Sequence, residues 1–470
     1  MSGKWLVRGI LICMIIGVIL GGIDFFEEMK IKKVVIDGKL IKEEFILEND
    51  NIYVNFDFLK VHLDREMRMN EKRTRAYFKP TYSFKNEEIQ SLIYESGVEL
   101  NVHTLNRDDK NYVPLLDVQK LIGIKVVHDR NKVYINQYDK NEQKKERKKE
   151  ISKGKITLSW EYVGKKNPNI ENEDKIEGLQ IVSPTWFNIV NTQGIVVNSG
   201  DYKYMKDAKE KGYNIWGLVT NSFNPRLTRA ILNDEQVQDK VIAQLILFSE
   251  MYDLDGINID FENIFYEDSG KLTSFVERLR HYTEKGGLIL SMDVTVPGGS
   301  KQWSLVYNRK ELSKHLDYFM LMAYDEHWAS SPNSGSVASI GWVERGIKRS
   351  LKVIPKEKLV LGIPFYMRVW TEEKLGKKIK ISSKAITMSK LENIVDSREL
   401  EPVWSEDVAQ YYTEYVEGNK TYKIWIEDKK SIEEKVNLAE KYDIAGICAW
   451  RKGFEKNEVW EVFEEYLKNN

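Results

Sequence analysis

In the stretch DGINIDFE, residues 255–262, Asn258, Asp260 and Glu262 fall at alternate positions between Ile257, Ile259 and Phe261. Alternate residues of a β-strand point to the same side. One side therefore carries an amide and two carboxylates, and the other is apolar. Two acids at a strand tip, with a hydrophobic face turned to a core, can bring general acid–base chemistry to a cleft. A solvated strand face has the same pattern, so the surrounding elements must decide between the two. The six histidines, His62, His103, His128, His281, His315 and His327, show no metal-ligand spacing, so no metal or other cofactor is called for.

From residue 155 onward, apolar strand-like runs alternate with helical stretches, the pattern of a parallel α/β sheet. Strands are expected at 155–163, 178–187, 213–221, 256–262, 288–296, 318–325, 359–366 and 444–450. Eight such units predict a (β/α)8 TIM barrel. A doubly wound open sheet would need a Gly-rich turn after its first strand, and none is present. FNIVNTQGIVVN reads as a hairpin. The gap from Tyr366 to Ile444 is too long for one helix, and it predicts an α+β insertion before the last strand. Its recognisable part is an antiparallel hairpin joined at Gly418-Asn419, expected to wall the cleft. In a barrel the active face lies at the C-terminal strand ends. That face would gather Glu262, Met322, Tyr324, Asp325, Tyr366 and Trp450, with Trp186 and Phe187 from the second strand. An acidic floor with aromatic walls suits an oligosaccharide. Trp216 and Trp328 fit either the cleft wall or plain packing, and Arg368 is a weaker candidate.

The chain has 470 residues with 12 Trp and 24 Tyr, and Lys+Arg 71 balance Asp+Glu 72. A net charge of −1 gives nucleic acid no preference over other partners. Lys4 and Arg8 precede an apolar run to Ile23, and Asp24, Glu27 and Glu28 follow it. Residues 1–27 read as a membrane anchor or signal segment. An uncleaved anchor fits better, because no A-x-A-like site is seen. The charge bias orients the body outward, so the protein is expected in an extracytoplasmic position, anchored or secreted to the wall. Cys13, inside that run, and Cys448, in a late apolar strand, predict no disulfide. Residues 28–137 read as a small β-rich domain, 138–154 as a charged linker and 155–470 as the barrel. Within the small domain, Tyr112–Asn136 predicts a strand, a short helix ending at Gly123 and a hairpin turning at residues 129–131. NIYVNFDFLKVHL looks like a degenerate repeat of its strand-then-helix part.

The segments DGINIDFE, MLMAYDEHW, KLVLGIPFYMR and AGICAW resemble glycoside hydrolase family 18. SPTWF, NIDFEN and AWRKGFE are similar to its bacterial branch of spore-cortex and germination hydrolases. The resemblance covers about residues 155–468, and Tyr112–Asn136 resembles the copper amine oxidase N-terminal-like domain without a copper-binding set. The family is an exception among glycosidases, which mostly use two flanking carboxylates. The resemblance implies attack of the substrate's N-acetyl oxygen on the anomeric carbon, through a cyclic oxazolinium. Glu262 would protonate the departing oxygen and later deprotonate water. Asp260 would hold the acetamide N–H, Tyr324 would bond the acetamide oxygen, and Trp450 would floor the reacting sugar. Asp325 would bind a sugar hydroxyl or support Tyr324. Asn258 stands where the family often has a third acid, so Asp260 is expected to ionise more readily. Asp255 is expected to cap the turn with Gly256. The substrate would be a β-1,4-linked glycan containing N-acetylglucosamine, peptidoglycan being more available than chitin to a wall-facing bacterial protein. The competing reading is a catalytically weak, lectin-like barrel of the wall or spore coat.

Overall fold

The computed structural model describes residues 153–469 without a break. Ahead of them it describes residues 29–137 in pieces, together with Lys148, Glu150 and Ile151. The N-terminal apolar segment with Cys13, the position of Gly123, the turn at 129–131 and most of the proposed linker lie outside the described residues. No helix among the described residues is long and apolar enough to cross a membrane.

The chain divides into two compact units. The first holds residues up to 81 and 100–138. Its strand Asn51–Asn55 leads into helix Phe56–His62, and strand Lys110–Pro114 leads into helix Leu115–Val118. The two strands pair antiparallel with Val113 opposite Val54, so the two strand-then-helix pieces share one sheet. Ile124–His128 and Val133–Gln137 form the expected hairpin arms. Phe45, Ile52, Val54, Val113 and Leu115 are fully buried and form its core.

The second unit holds residues 82–99 and everything from 139. Eight parallel strands close into a barrel: β1 (Ile156–Glu161), β2 (Ile181–Pro184), β3 (Asn214–Thr220), β4 (Gly256–Asp260), β5 (Ile289–Thr295), β6 (Tyr318–Met322), β7 (Leu359–Pro364) and β8 (Gly446–Trp450). Each pairs with the next, and β8 pairs with β1 to close the ring. These strands read as near-continuous apolar runs because helices cover them outside and side chains fill them inside. Helix Glu235–Met251 starts where the Asp234 carboxylate accepts the N–H groups of Gln236 and Val237. Helix Ser269–Lys285 stacks Phe275 on Phe261, with centroids 5.7 Å apart.

The lower barrel interior is apolar. Trp216 lies stacked on Tyr318 at 5.7 Å, among Ile156, Leu158 and Val360. Gly256 begins β4 because a Cβ there would stand 2.9 Å from the Trp216 ring. Asp255 keeps clear of the substrate side, as expected, but its work is a strand-to-strand tie and not only a turn cap. It accepts the Ile215 N–H at 2.8 Å and ion-pairs with Lys209, fixing the start of β4 against β3.

Two excursions leave the strand tops. Phe187–Ile189 and Val196–Asn198 make the hairpin expected after β2. Between β7 and the last helix–strand unit lies a five-stranded antiparallel sheet, larger than the single hairpin read from the sequence. Its strands are Tyr366–Leu375, Lys378–Thr387, Val403–Ser405, Gln410–Glu417 and Lys420–Ile426, with helix Met388–Ser397. The joint at Gly418 has φ +61°. The chain returns through a capping box, in which Asp428 and Ser431 satisfy each other's backbone N–H. Beside it Glu427 and Lys435 form a fully buried ion pair at 2.9 Å. Gln410 and Ser431 also bond the Glu427 carboxylate.

Candidate active site

β4 ends at Asp260, so Glu262 stands two residues beyond the regular strand, at the barrel mouth. A separate clamp holds it there. Asn221, just past β3, accepts the Glu262 N–H at 3.1 Å and donates to its carbonyl at 2.8 Å. Asn221 is itself fixed by a 2.8 Å bond to Thr228 and is wholly buried. The Tyr307 hydroxyl donates to the Phe261 carbonyl at 2.9 Å, so both residues around the turn are anchored.

Asp260 is 7% exposed, and its Oδ1 has no hydrogen-bond partner. Burial, then the negative charges of Glu262 and Asp293, push Asp260 well above the usual carboxylate range. Greater ease of ionisation, expected from Asn258, is thus not what the surroundings give: burial opposes it first, and the carboxyls of Glu262 and of Asp293 on the neighbouring strand add to it. Burial, reinforced by the charge of Asp325, raises Glu262 to about 7. A carboxyl poised there can give up and recover a proton near neutrality. The acids interact, so their titration belongs to the group.

Asn258 does not reach the cleft. It is fully buried beneath the acids, with its Oδ1 accepting from Trp160 Nε1 at 2.9 Å and Ser183 Oγ at 3.3 Å. Its Nδ2 donates to Ser291 Oγ at 3.1 Å and Asp293 Oδ1 at 2.8 Å. Expected substrate contact is therefore replaced by support of the floor. Trp186 is corrected in the same way. It follows the end of β2, but its ring is buried against Phe187, Tyr204 and Tyr252, with its N–H on Asn167 at 2.6 Å.

Tyr324 and Trp450 are half-buried and converge on Trp160, at 6.3 Å and 6.0 Å between ring centroids. Met322 is buried at the end of β6. Tyr366, from the first strand of the insertion, lies 6.3 Å from Tyr324 and donates its hydroxyl to Asp325 at 2.6 Å. Arg368 donates to the same Asp325 oxygen at 2.8 Å. The insertion therefore contributes a tyrosine and an arginine that hold Asp325 near Glu262. Trp216 belongs to the lower core, whereas Trp328 is half exposed past β6. Asn221, Trp160, Ser183, Ser291 and Asp293 were missed from the sequence. Ser291 and Asp293 alternate inward along β5 as Asn258 and Asp260 do along β4, and that parity was the available signal.

Closed barrel, strand-end acids and aromatic surround together define a glycosidase-type active site. Residues 228–454, within the barrel, match the family model Glycosyl hydrolases family 18. The uncharacterized glycosylase YvbX of Bacillus subtilis is 25% identical over 287 residues, covering 58% of this chain and 81% of YvbX. The cortical fragment-lytic enzyme of the same species is 24% identical over 255 residues, covering 53% of this chain and 58% of that enzyme. The chain thus spans little more than half of that relative's length. Among solved structures, the Bacillus megaterium spore cortex-lytic enzyme SleL superposes with a TM-score of 0.60 at 19% identity. It covers 67% of this chain and 74% of SleL. The C-terminal domain of a putative chitinase from Desulfitobacterium hafniense superposes with the same score at 21% identity, over 67% of this chain and 99% of that domain. These superpositions bear on the fold.

Proposed function

We propose that this barrel hydrolyses β-1,4-linked glycans containing N-acetylglucosamine, with peptidoglycan as the natural substrate and Glu262 as general acid and base. The observation that carries the reading is Glu262 at the barrel mouth, raised to about 7 by burial and by Asp325, with Asp260 buried beside it. Protonated Glu262 delivers its proton to the glycosidic oxygen as the bond to the anomeric carbon breaks. The substrate's acetamide oxygen forms the replacing bond. Asp260 holds the acetamide N–H, and the unpartnered Oδ1 is an acceptor free for it. Tyr324 bonds the acetamide oxygen, and Trp450 stacks beneath the sugar. Ionised Glu262 then takes a proton from the water that opens the ring intermediate.

Peptidoglycan is favoured over chitin because relatives named as cortical fragment-lytic enzymes match over 255 and 259 residues, 53% of this chain. The charge pattern around the apolar segment at 9–23 supports an extracytoplasmic location, anchored in the membrane or released to the wall. Protease accessibility on intact cells checks that location.

The test of the activity is reducing-end release from purified peptidoglycan and from N-acetylglucosamine oligomers, with Glu262→Gln as control. The expected result is turnover by the parent and loss of at least about 100-fold in the variant. Turnover retained in Glu262→Gln removes that residue from its role. Binding without turnover in the parent supports the lectin-like reading instead. Efficient cleavage of glycans lacking the 2-acetamido group refutes substrate assistance.

A further inference from the structure

Beneath the acid pair sits a third carboxyl that the mechanism above does not use. Asp293 on β5 is 2% exposed. No lysine or arginine forms an ion pair with it among the described residues. An indole N–H only donates, so the Asn258 atom facing Trp160 is its oxygen. The amide orientation follows, and its N–H groups point to Ser291 and Asp293. Asn258 thus links Asp293 on one strand to the acid-bearing strand on the other.

A carboxyl buried without a cation is destabilising unless something requires it. A neutral amide or hydroxyl could fill the same space and accept the same hydrogen bond. What only a carboxyl adds is charge. The groups facing Asp293 are Asp260 at the end of β4, Glu262 beyond it, Tyr307 after β5, Tyr324 after β6 and Cys448 on β8. None of these carries positive charge; burial, opposed by the Asn258 N–H, raises Asp293 well above the usual carboxylate range, so the three carboxyls share their protons as one group.

We infer that Asp293 is a positioning residue for the proposed hydrolysis: held behind Asp260 by the Asn258 amide, it adds a third carboxyl to the buried group, and the negative charge the three share keeps a proton on the Asp260–Glu262 pair. Asn258 and Asp293 together then replace the third acid that the family resemblance expects on β4. The charge has moved one strand sideways while the hydrogen-bonded floor is kept. This inference rests on the function proposed above for the pair, but it is tested apart from turnover.

The experiment compares the parent, Asp293→Asn and the exchange variant Asn258→Asp/Asp293→Asn. In kcat/KM against pH, Asp293→Asn should move the alkaline limb down by on the order of one pH unit. The exchange variant should bring it back. The second readout needs no substrate. The stabilisation given by Glu262→Gln grows from about pH 4.5 and levels off where Glu262 ionises in the fold, and the Asp293→Asn background should lower that levelling-off pH by a similar amount. A shift in melting behaviour without turnover sustains the inference and refutes the proposed activity. An unmoved limb and an unmoved levelling-off of the melting gain overturn the inference and leave Asp293 a space-filling group. If Asp293→Asn does not fold, the exchange variant carries the test, and a limb displaced from that of the parent counts against the inference.

Discussion

Replacing Glu262 by glutamine should abolish turnover yet stabilise the folded barrel, increasingly from about pH 4.5 and fully by about pH 7. In the fold Glu262 titrates at about 7, against 4.5 for an unperturbed glutamate. Between those values the native state holds a proton that the unfolded chain has released. Stability therefore falls as pH rises through that window, and the loss is complete above about 7. The span corresponds to about 3 kcal/mol between protonation states. Glutamine cannot ionise and escapes that loss. For a domain of about 300 residues, 3 kcal/mol corresponds to a melting shift of about 5 °C. Differential scanning calorimetry at pH 8 should therefore show the variant melting about 5 °C higher than the parent. At pH 5 the difference should shrink to below about 1 kcal/mol. Equal melting temperatures at both pH values would show that Glu262 is not held against its ionisation, and the acid–base argument would fail with it.

Asp325→Asn removes the charge that helps raise Glu262, so the alkaline limb of kcat/KM should move to lower pH, read from a pH–rate series. Asn221→Ala leaves the Glu262 backbone N–H and carbonyl without their buried partner. It should cost about 1–3 kcal/mol in denaturant unfolding and lower kcat more than it changes KM. Lys435→Met strands the fully buried Glu427 carboxylate, and a loss of about 3–5 kcal/mol is expected by urea titration. A loss under about 1 kcal/mol there would mean that Gln410 and Ser431 alone satisfy Glu427.

The eight barrel strands were legible because each is buried on both faces and must be written in Val, Ile, Leu and aromatic residues. Glu262 and Asp260 were legible because β4 shows its parity plainly. The insertion was under-read for the opposite reason. Strand Lys378–Thr387 is exposed along much of its length, so Lys and Ser dilute the alternation that marks a strand. Trp186 and Asn258 were placed at the cleft by nearness to a strand end, which does not tell whether a side chain turns to the mouth or into a packed layer. Trp186 falls among Tyr204 and Tyr252, while Asn258 lies one pleat too deep. Asp293 escaped because no motif marks β5, although Ser291 and Asp293 repeat the inward alternation of β4.

The five-stranded insertion leaves directly from β7 and returns through one helix to β8, and those two strands are neighbours in the ring. Its stems run side by side, the first strand paired with the last and Val369 opposite Ile424. A cassette attached in this way can lengthen, shorten or be exchanged while the closed sheet keeps its register. Only its root is tied to the chemistry below, because Tyr366 and Arg368 on its first strand must stay to hold Asp325.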